Sequence, residues 1–521
     1  MAGGAGCLNP EPLANFVDFF LLGDGEEAVI HFSHVFQKER GLHSTRHEFL
    51  RAVNQQCPYI YTPALWTAKY DGPALLSMTP EEDVGTPQNA VVYDLENAPY
   101  PTAPIVPSIR TIHDRITVEI MRGCVEGCRF CQAGMEKRPQ RFRSKERVLE
   151  IVKESYRNTG FNEVGLTSLS SSDHPDLLGI MDTLLPFTAP KNISLSLPSL
   201  RVNEQVAELP KRIAEARKQG ITLAPEVATN RLRGIINKGI SDDDLFAGAK
   251  ASRVAGFNTI KLYFMIGIPG EEEADVTGIV DMAETCSILR AKAGMGGNGQ
   301  VNAAVSTFIP KALTPFQWAP QLRPEEVKAK QKFLWDRKRV RAVRIKCHVS
   351  DETMIDGFLS RADRRAGRVL ERAWKEGARF DAWMEQVNLQ AWTTAWEAEG
   401  DGPEEVSYRN RSVQECMPWD HLHLGVSREY LEEEWIKSQS GALTPHCQTE
   451  ACGDCGVGAK TCVDIKAASG FFSKYSRPKF IARAEANPLF QIGLPQETLP
   501  PKESKVASSS QERNSCTPSE S

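Results

Sequence analysis

The sequence contains no long hydrophobic run and no strong excess of either charge. None of its apolar stretches approaches the ~20 residues that span a bilayer, and no basic region followed by an apolar stretch marks a secretory signal at the N-terminus. With 62 Lys and Arg against 67 Asp and Glu, the net charge of −5 neither demands nor excludes a nucleic-acid partner. We therefore predict a cytoplasmic protein whose 521 residues can bury a large core.

Cysteine is unevenly distributed, because many of the 13 cysteines concentrate in two short groups. This pattern argues against a framework of disulfides and favours metal ligation in a reducing compartment. The first group, Cys124, Cys128 and Cys131, has the spacing C-x3-C-x2-C. Three thiolates can hold three irons of a 4Fe-4S cube and leave the fourth iron open. A structural zinc site usually has four protein ligands, and this loop offers neither a histidine nor a fourth cysteine.

The second group comprises His446, Cys447, Cys452, Cys455 and Cys462. Its C-x4-C-x2-C spacing is typical of a metal site. The spacing therefore predicts either a second iron–sulfur cluster or a structural zinc. A Cys-rich loop without metal is the alternative.

Short apolar segments alternate with amphipathic ones between residues 109 and 320. The predicted strands are Ile116–Met121, Glu163–Ser168, Ile193–Leu197, Ile221–Ala224, Thr259–Ile266 and Val301–Phe308. Strands that alternate with helices form parallel β/α units wound in one direction. Six such units suit an α/β fold of the partial (β/α)6 barrel type. Active sites of such barrels lie at the carboxyl ends of the strands, and the first cysteine group directly follows the first strand.

The cysteine spacing, with Phe130 directly before the third cysteine, resembles the radical S-adenosylmethionine (SAM) superfamily. The resemblance implies a partial (β/α)6 TIM-like barrel with a helical C-terminal extension. It also implies a 4Fe-4S cluster whose open iron chelates SAM. Reductive cleavage of SAM would give a 5′-deoxyadenosyl radical that abstracts hydrogen from a substrate. An external donor such as flavodoxin or ferredoxin would supply the electron.

Further segments match cofactor-binding positions of the superfamily. By that match Glu226 faces the ribose or the methionyl group of SAM, with Thr229 beside it. A carboxylate suits this role because it accepts hydrogen bonds from hydroxyl or ammonium groups. Gly267 would let the backbone approach the adenine, and the segment that contains Pro310 would flank the same ring.

Other matches concern the amino-acid part of SAM. Ser199 and Arg201 would contact its carboxylate, for which an arginine offers a bidentate fork. The Gly-Gly-Glu that usually binds the amino group after the second strand is replaced by Leu166–Asp173. The amino-group ligand is therefore unassigned.

The stretch from Asn9 to about Cys455 resembles a family of radical SAM proteins fused to a cobalamin-binding domain. Residues 1–30 match the end of that domain, without the upstream part that carries the cobalt-ligating histidine, so cobalamin would lack this ligand here. The missing part either lies upstream of Met1 or has been lost. The predicted divisions are the remnant at 1–30, a connecting segment at 31–108 with a helix around Gln37–Val53, the barrel at 109–320, a helical region at 321–440, the Cys-rich site at 441–465 and a disordered tail at 500–521.

Residues 323–379, which we call the basic stretch, contain 17 Lys or Arg against 9 Asp or Glu. They either contact RNA phosphates or form a solvated helical face. The predicted function is a radical SAM enzyme with an unidentified substrate, RNA included. One alternative is an RNA-modifying methylthiotransferase, although the sequence shows neither its N-terminal three-cysteine domain nor its C-terminal β-barrel. The other is a non-catalytic iron–sulfur or RNA-binding scaffold.

Overall fold

The computed structural model describes residues 1–109, 111–124, 126–197, 221–254, 256–292, 294–348, 350–447 and 452–457. Ser199, Arg201, Cys462 and the predicted tail at 500–521 lie outside these ranges. Within them, no helix combines the length and the apolar character needed to cross a bilayer.

The first part of the chain forms a small sheet accompanied by two helices. Its elements are β1 (Ala2–Gly3), β2 (Phe20–Leu21), α1 (Ala28–Glu39), α2 (Arg46–Gln56) and β3 (Ile60–Tyr61). β2 lies in the middle, parallel to β1 and antiparallel to β3. The single helix predicted around residues 37–53 is wrong, because Thr45 starts a new helix through a capping box with Glu48.

A β-hairpin connects this unit to the barrel. Its strands are β4 (Trp66–Asp71) and β5 (Ala74–Pro80), which pair antiparallel. The guanidinium of Arg365 lies 4.3 Å from the ring centre of Tyr70 and donates hydrogen bonds to the carbonyls of Gly72 and Pro73. The tip of the hairpin is thereby fixed against the C-terminal helices.

The first parallel sheet carries the cysteine loop at one edge. Its strands are β6 (Ile116–Glu119), β9 (Glu163–Thr167) and β10 (Ser194–Ser196), with β9 in the middle. A short antiparallel pair, β7 (Met121–Arg122) and β8 (Arg141–Phe142), brackets the loop. The helices of this half are α3 (Gln132–Glu136), α4 (Lys145–Thr159) and α5 (Leu177–Thr188). Ser144 begins α4 by accepting a hydrogen bond from the N–H of Arg147, and Gly160 ends it with φ +69°.

The second parallel sheet follows in chain order. Its strands are β11 (Ile221–Glu226), β12 (Thr259–Ile266), β13 (Gln300–Thr307) and β14 (Val343–Cys347). Its helices are α6 (Asn230–Ile235), α7 (Asp242–Val254), α8 (Glu273–Lys292) and α9 (Pro324–Arg337). β14 is a strand that the sequence does not predict. Its alternating apolar and polar residues lie within the basic stretch, for which the sequence predicts helices.

The two parallel sheets share one hydrophobic core. Alternate residues of β12 and β13 are buried, and side chains such as Ile260 and Val301 belong to the same cluster as Ile279 and Cys286 of α8. Helices thus cover one face of the strands, as parallel β/α units require. The predicted α/β fold is confirmed. Among the described residues the two sheets are not joined by hydrogen bonds, and no closed barrel forms.

The region after β14 is helical, as predicted. Its helices are α10 (Ser350–Arg361), α11 (Ala366–Lys375), α12 (Leu389–Glu399), α13 (Pro403–Val406) and α14 (Arg428–Ser440). The first four surround a core that contains Phe358, Trp392 and Trp396. Trp435 of α14 meets Phe316 edge-on, with ring centres 6.0 Å apart. This contact brings the last described helix back to the barrel.

Candidate metal and cofactor site

Glycines fix the path of the cysteine loop. Gly123 follows β7 with φ +88°, and a Cβ at this position would overlap the carbonyl oxygens of Lys137 and Pro139. Gly127 has φ +69°, and its Cβ would lie 3.0 Å from Nδ2 of Asn237. Glycine alone combines such a backbone conformation with such close neighbours at little cost. The loop can therefore turn back tightly at the end of the first strand.

The thiols of this loop lie in surroundings that oppose a free thiolate. Burial raises the pKa of Cys124 well above its usual value, and the carboxylates of Glu126 and Asp173 raise it further. Burial also raises the pKa of Cys131, although the N–H of Gly134 acts in the opposite direction. A thiolate in such a place needs a cation, and a bound metal supplies one. The donor set therefore fits an iron–sulfur cluster.

The described residues contain no group of three or more His, Cys, Asp or Glu side chains placed around one metal ion. The cysteines of a cube bind different irons, so a cluster does not require them to converge on one ion. A Cβ on Gly134 would lie 3.5 Å from Sγ of Cys131, an ordinary contact distance, so this glycine adjoins the third sulfur.

Arg129, between the second and third cysteines, anchors the loop to two distant segments. Its side chain is fully buried, as is that of Glu434 in α14. Nε of Arg129 donates to Oε2 of Glu434 at 3.1 Å, and Nη1 donates to the carbonyls of Gly234 and Ile235 at 3.0 Å. This pair is not predictable from the sequence, since an arginine in a cysteine loop carries no local signal of burial.

The chain beyond α14 packs against the same loop. Nδ2 of Asn237 donates to the Gly127 carbonyl at 3.1 Å, and its Oδ1 accepts from the N–H of Thr444 at 3.0 Å. Nε2 of His446 lies 3.4 Å from Oε1 of Glu126, and both side chains are nearly buried. The cysteine loop is therefore held by residues that come much later in the chain.

Glu226, one of the predicted cofactor residues, ends β11 in a strained conformation. Its φ of +66° is uncommon for a residue with a side chain. The pairing of β11 with β12 also shifts between Leu223 and Glu226, as in a β-bulge, which re-aims side chains and is frequent beside active sites. Nζ of Lys238 lies 3.3 Å from Oε1 of Glu226, and both charges act on the thiol of Cys131. Glu226 is thus close to the third cysteine.

Two other predicted cofactor residues have structural roles. Thr229 caps α6 by accepting from the N–H of Leu232 at 3.2 Å, and its hydroxyl donates to Asp275. Gly267 follows β12 with φ +87°, and a Cβ there would lie 2.8 Å from Cδ1 of Leu322. Backbone conformation and the contact with Leu322 account for the glycine without any cofactor.

A cavity of about 350 Å³, which we call the Phe130 cavity, opens at the carboxyl ends of β12, β13 and β14. Phe130, Met265 and Phe308 form its apolar wall. The opposite wall is polar and includes Thr307, a buried residue whose hydroxyl has no hydrogen-bond partner among the described residues. Pro310 lies buried in the segment after Phe308. The cavity therefore joins the predicted adenine-flanking segments to the residue before the third cysteine.

A second cavity, of about 580 Å³, also borders the cysteine loop. Its walls are the loop after β2, the beginning of the cysteine loop and the end of β9. In the first of these walls, Asp24 accepts from Nη1 of Arg141 at 2.6 Å and from Nζ of Lys137 at 3.3 Å. Burial works against its ionisation, but these cations and Arg122 hold the pKa of Asp24 below its usual value. The N-terminal unit thus supplies one wall of a cavity beside the loop. Its role was not apparent from the sequence.

The second cysteine group lies only partly within the described residues. The Cys455 side chain acts electrostatically on the buried guanidinium of Arg138, and a Cβ on Gly127 would lie 3.8 Å from the same guanidinium. Cys447 is partly exposed and Cys452 is exposed. The two cysteine groups therefore approach each other through Arg138, and the second metal site stays a prediction.

Ion pairs neutralise much of the basic stretch. Arg364 donates to the buried Glu11 at 2.7 Å, and Arg339 lies 3.1 Å from Glu284. Arg361 is fully buried. These contacts favour a set of ion-paired helices over a cationic surface for RNA.

Two family models match the chain. Residues 118–283 match the model described as "Radical SAM superfamily", and residues 1–63 match the one described as "Radical SAM proteins, N-terminal". The first match covers the cysteine loop and the strands from β6 to β12, except for the first two residues of β6. The second covers the small N-terminal sheet with its two helices.

Among curated proteins, "Uncharacterized protein MJ0966" of Methanocaldococcus jannaschii is 25% identical over 256 residues, which are 49% of this chain. The match spans 53% of that relative, or about half its length. Among solved structures, the radical SAM methyltransferase TsrM from Kitasatospora setae, with tryptophan and a SAM analogue bound, is 13% identical at a TM-score of 0.38. The matched region covers 58% of this chain and 54% of the TsrM chain. The cobalamin-dependent radical SAM enzyme OxsB, with aqua-cobalamin and SAM bound, is 12% identical at a TM-score of 0.41. The matched region covers 95% of this chain and 68% of the OxsB chain.

Proposed function

We propose that this radical SAM enzyme, whose domain of that superfamily spans residues 118–283, holds its 4Fe-4S cluster on Cys124, Cys128 and Cys131. The observation that carries the proposal is the placement of the three thiols directly after the first parallel strand, in surroundings that raise the pKa of Cys124 and Cys131. Active sites of parallel β/α barrels lie at this end of the strands.

The residues around the loop then position the cofactors. A cluster with SAM, when bound, supplies a one-electron cleavage of SAM that gives a 5′-deoxyadenosyl radical, while the protein supplies binding and orientation. Arg129 and Asn237 hold the loop through hydrogen bonds to backbone carbonyls and to Glu434. Because these bonds are buried, they fix the path of the loop.

Glu226 is the residue that we assign to SAM. Its carboxylate can accept hydrogen bonds from ribose hydroxyls or from the SAM ammonium, and Lys238 orients it from 3.3 Å away. Phe130, with the other apolar residues of its cavity, offers a surface on which an adenine ring can pack. The roles of Ser199 and Arg201 toward the SAM carboxylate stay predictions.

We propose that the substrate binds in the second cavity, between the N-terminal unit and the end of β9. This cavity reaches Gly123 and so borders the cysteine loop, while its walls belong to two parts of the chain. A substrate there would contact the loop after β2, whose Asp24 pairs with Lys137. We propose hydrogen abstraction from this substrate, with the electron delivered by an external donor such as flavodoxin or ferredoxin.

Anaerobic reconstitution tests the cluster assignment. With iron, sulfide, dithionite and SAM, the unaltered protein should show cluster absorbance and release 5′-deoxyadenosine. Cys128→Ala should abolish both, because the cube then loses one of its three ligands. Cys347→Ala, on β14, is the matched control and should retain both. Normal 5′-deoxyadenosine release by Cys128→Ala would contradict the assignment.

We also propose that the second cysteine group binds metal, on the evidence of its spacing and its approach to the first loop through Arg138. The variant with Cys124, Cys128 and Cys131 all replaced by alanine should retain bound iron or zinc, measured by elemental analysis. Adding Cys455→Ser should remove it. A triple variant that is already free of metal would show that the second group is not a metal site.

A further inference from the structure

The second parallel sheet has one face against its helices and one face that is open. Side chains such as Ile260 and Val301 belong to the core that the strands share with α8. The residues that alternate with them point the other way, to what we call the open face. The hydroxyl of Thr259 donates to Oε1 of Gln300 at 3.3 Å, which shows that the alternate positions of β12 and β13 share this face.

The strand register aligns one residue from each of the four strands across the open face. In the order of the strands these residues are Thr222, Lys261, Asn302 and Arg344. Neighbouring strands lie about 4.8 Å apart, so the Cα atoms of Lys261 and Arg344 are about 10 Å apart. Lys346 follows on the same face of β14, about 7 Å further along the strand. The open face therefore carries three cationic side chains close together.

These three charges are exposed and are not balanced by carboxylates. Lys261, Arg344 and Lys346 are all exposed, and none of them forms an ion pair within the part of the chain that the structure describes. Among the four strands only Glu226 is acidic, and its carboxylate is paired with Lys238. The open face thus has an excess of positive charge that a ligand can reach. In this respect β14 differs from the ion-paired helices of the basic stretch.

Tyr263 adds an aromatic surface to the same face. It is 45% exposed, and the register pairs it with Ala304, whose small side chain leaves room beside the ring. Ala304 pairs in turn with Lys346. An exposed aromatic ring beside unpaired cations is the combination that binds single-stranded nucleic acid, because bases stack on the ring and phosphates pair with the cations.

We infer that the open face binds a single strand of nucleic acid, with a base stacked on Tyr263 and phosphates on the three cations. An exposed face suits an extended chain, whereas a small ligand ordinarily occupies an enclosed cavity. At the carboxyl ends of the strands the face reaches Met265 and Ser306, which line the Phe130 cavity. The inference goes beyond the function proposed above, because none of the residues that carry it holds the cluster or SAM there.

Fluorescence anisotropy tests the inference with a labelled oligoribonucleotide of about 12 nucleotides, added to the reconstituted protein at saturating SAM. The logarithm of the affinity should fall with the logarithm of the salt concentration at a slope of about −2, because three phosphate contacts contribute about 0.7 each. A nucleoside monophosphate should compete about tenfold or more weakly than the unlabelled oligoribonucleotide, because it offers a single phosphate. A slope near zero, or equal competition by the monophosphate, would overturn the inference.

Charge variants locate the phosphate contacts. Lys261→Gln and Lys346→Gln should each make the salt slope less steep by about 0.7, because each removes one contact. Lys328→Gln is the matched control. Lys328 is an exposed lysine without an ion pair in the described ranges, but it lies on α9, whose Val327 packs into the core on the other side of the sheet. Equal slopes in all of these proteins would overturn the inference.

Variants of Tyr263 separate stacking from charge. Tyr263→Ala should weaken binding about fivefold or more and leave the salt slope as it is, because it removes a stacked base but no phosphate contact. Tyr263→Phe should bind like the unaltered protein, since the ring is kept. Tyr263→Ala that binds as tightly as the unaltered protein would contradict the inference.

Discussion

Lys238 and Glu226 form an ion pair of 3.3 Å next to the third cysteine, and they affect its thiol in opposite directions. The ammonium of Lys238 lowers the pKa of Cys131, whereas the carboxylate of Glu226 raises it. Because the two charges offset each other, the pair leaves the sulfur close to neutral surroundings.

Replacing Glu226 by alanine and by glycine separates its side chain from its backbone. Both changes remove the carboxylate, and SAM affinity should fall about tenfold or more, since a hydrogen bond to a charged group contributes about 1.5–3 kcal/mol. Glu226→Gly should be about 1 kcal/mol more stable than Glu226→Ala, because φ +66° is strained for any residue with a Cβ. Equilibrium dialysis with SAM and urea denaturation measure the two effects. Unchanged SAM affinity in both variants would remove Glu226 from the SAM site.

The buried pair of Arg129 and Glu434 should matter for both stability and cluster retention. Arg129→Met leaves the Glu434 carboxylate with Lys437 and Thr444 as partners, so the loss of the buried charge-assisted bond should cost about 1.5–3 kcal/mol of the free energy of unfolding. Iron content after reconstitution should also fall, because the bonds to Gly234 and Ile235 are lost.

The double variant Arg129→Met/Glu434→Met distinguishes the two effects. Two buried apolar side chains can replace a buried ion pair at little net cost, so much of the stability should return. The hydrogen bonds to the loop do not return, and iron content should remain low. Iron content that recovers together with stability would show that Arg129 acts on the fold alone.

Alanine substitutions at Gly123 and Gly160 test whether the close approach of the backbone at Gly123 shapes the cysteine loop. Both have positive φ, +88° and +69°, but a Cβ at Gly160 has no neighbour within 4 Å, while one at Gly123 overlaps two carbonyl oxygens. Gly160→Ala should cost about 1 kcal/mol of stability, from the backbone conformation alone. Gly123→Ala should cost more and should reduce the iron bound. Similar stability and iron content in the two variants would contradict a role of this close approach in shaping the loop.

His174 should make the protein less stable in weak acid. Burial is the main cause that lowers its pKa to about 4. Its Nδ1 accepts from the N–H of Asp176 at 3.1 Å and its Nε2 lies 3.2 Å from the Arg143 carbonyl, which fits a neutral ring with the proton on Nε2. In the unfolded chain the ring takes up a proton near pH 6.5. The unfolded state therefore binds more protons between pH 6.5 and 4, and stability is lost as the pH falls through that window.

The loss due to His174 should reach about 2 kcal/mol at pH 5. His174→Gln should flatten the dependence of the free energy of unfolding on pH, measured by urea denaturation between pH 5 and 8. A slope that His174→Gln does not change would assign the acid sensitivity to other groups.

The sequence predicted those elements whose signal is local. Thr259–Ile266 is a strand with the predicted bounds, because alternate burial leaves a regular pattern in its own residues. The capping role of Thr229 has a local signal, a threonine directly before a helix, and its predicted place beside SAM stays a prediction. The strand Val343–Cys347 is not predicted from the sequence. Its basic residues favour an exposed helix, although they alternate with apolar residues as in a strand.

Features that depend on distant partners left no such signal. The burial of Arg129 depends on Glu434, which lies 305 residues later. The strained φ of Glu226 follows from the register shift of β11 against β12, which sequence spacing does not show. The wall that the N-terminal unit supplies to the second cavity depends equally on tertiary packing.

The distance in sequence between Arg129 and Glu434 also bears on when the cluster can be inserted. A ribosome adds roughly 5–20 residues per second, so the 305 residues that separate the two side chains take about 15–60 seconds to synthesise. Throughout that time the nascent chain exposes the three cysteines without the helix that anchors their loop. We therefore expect iron–sulfur delivery to act on the completed polypeptide, with the early cysteines in need of protection from oxidation until then.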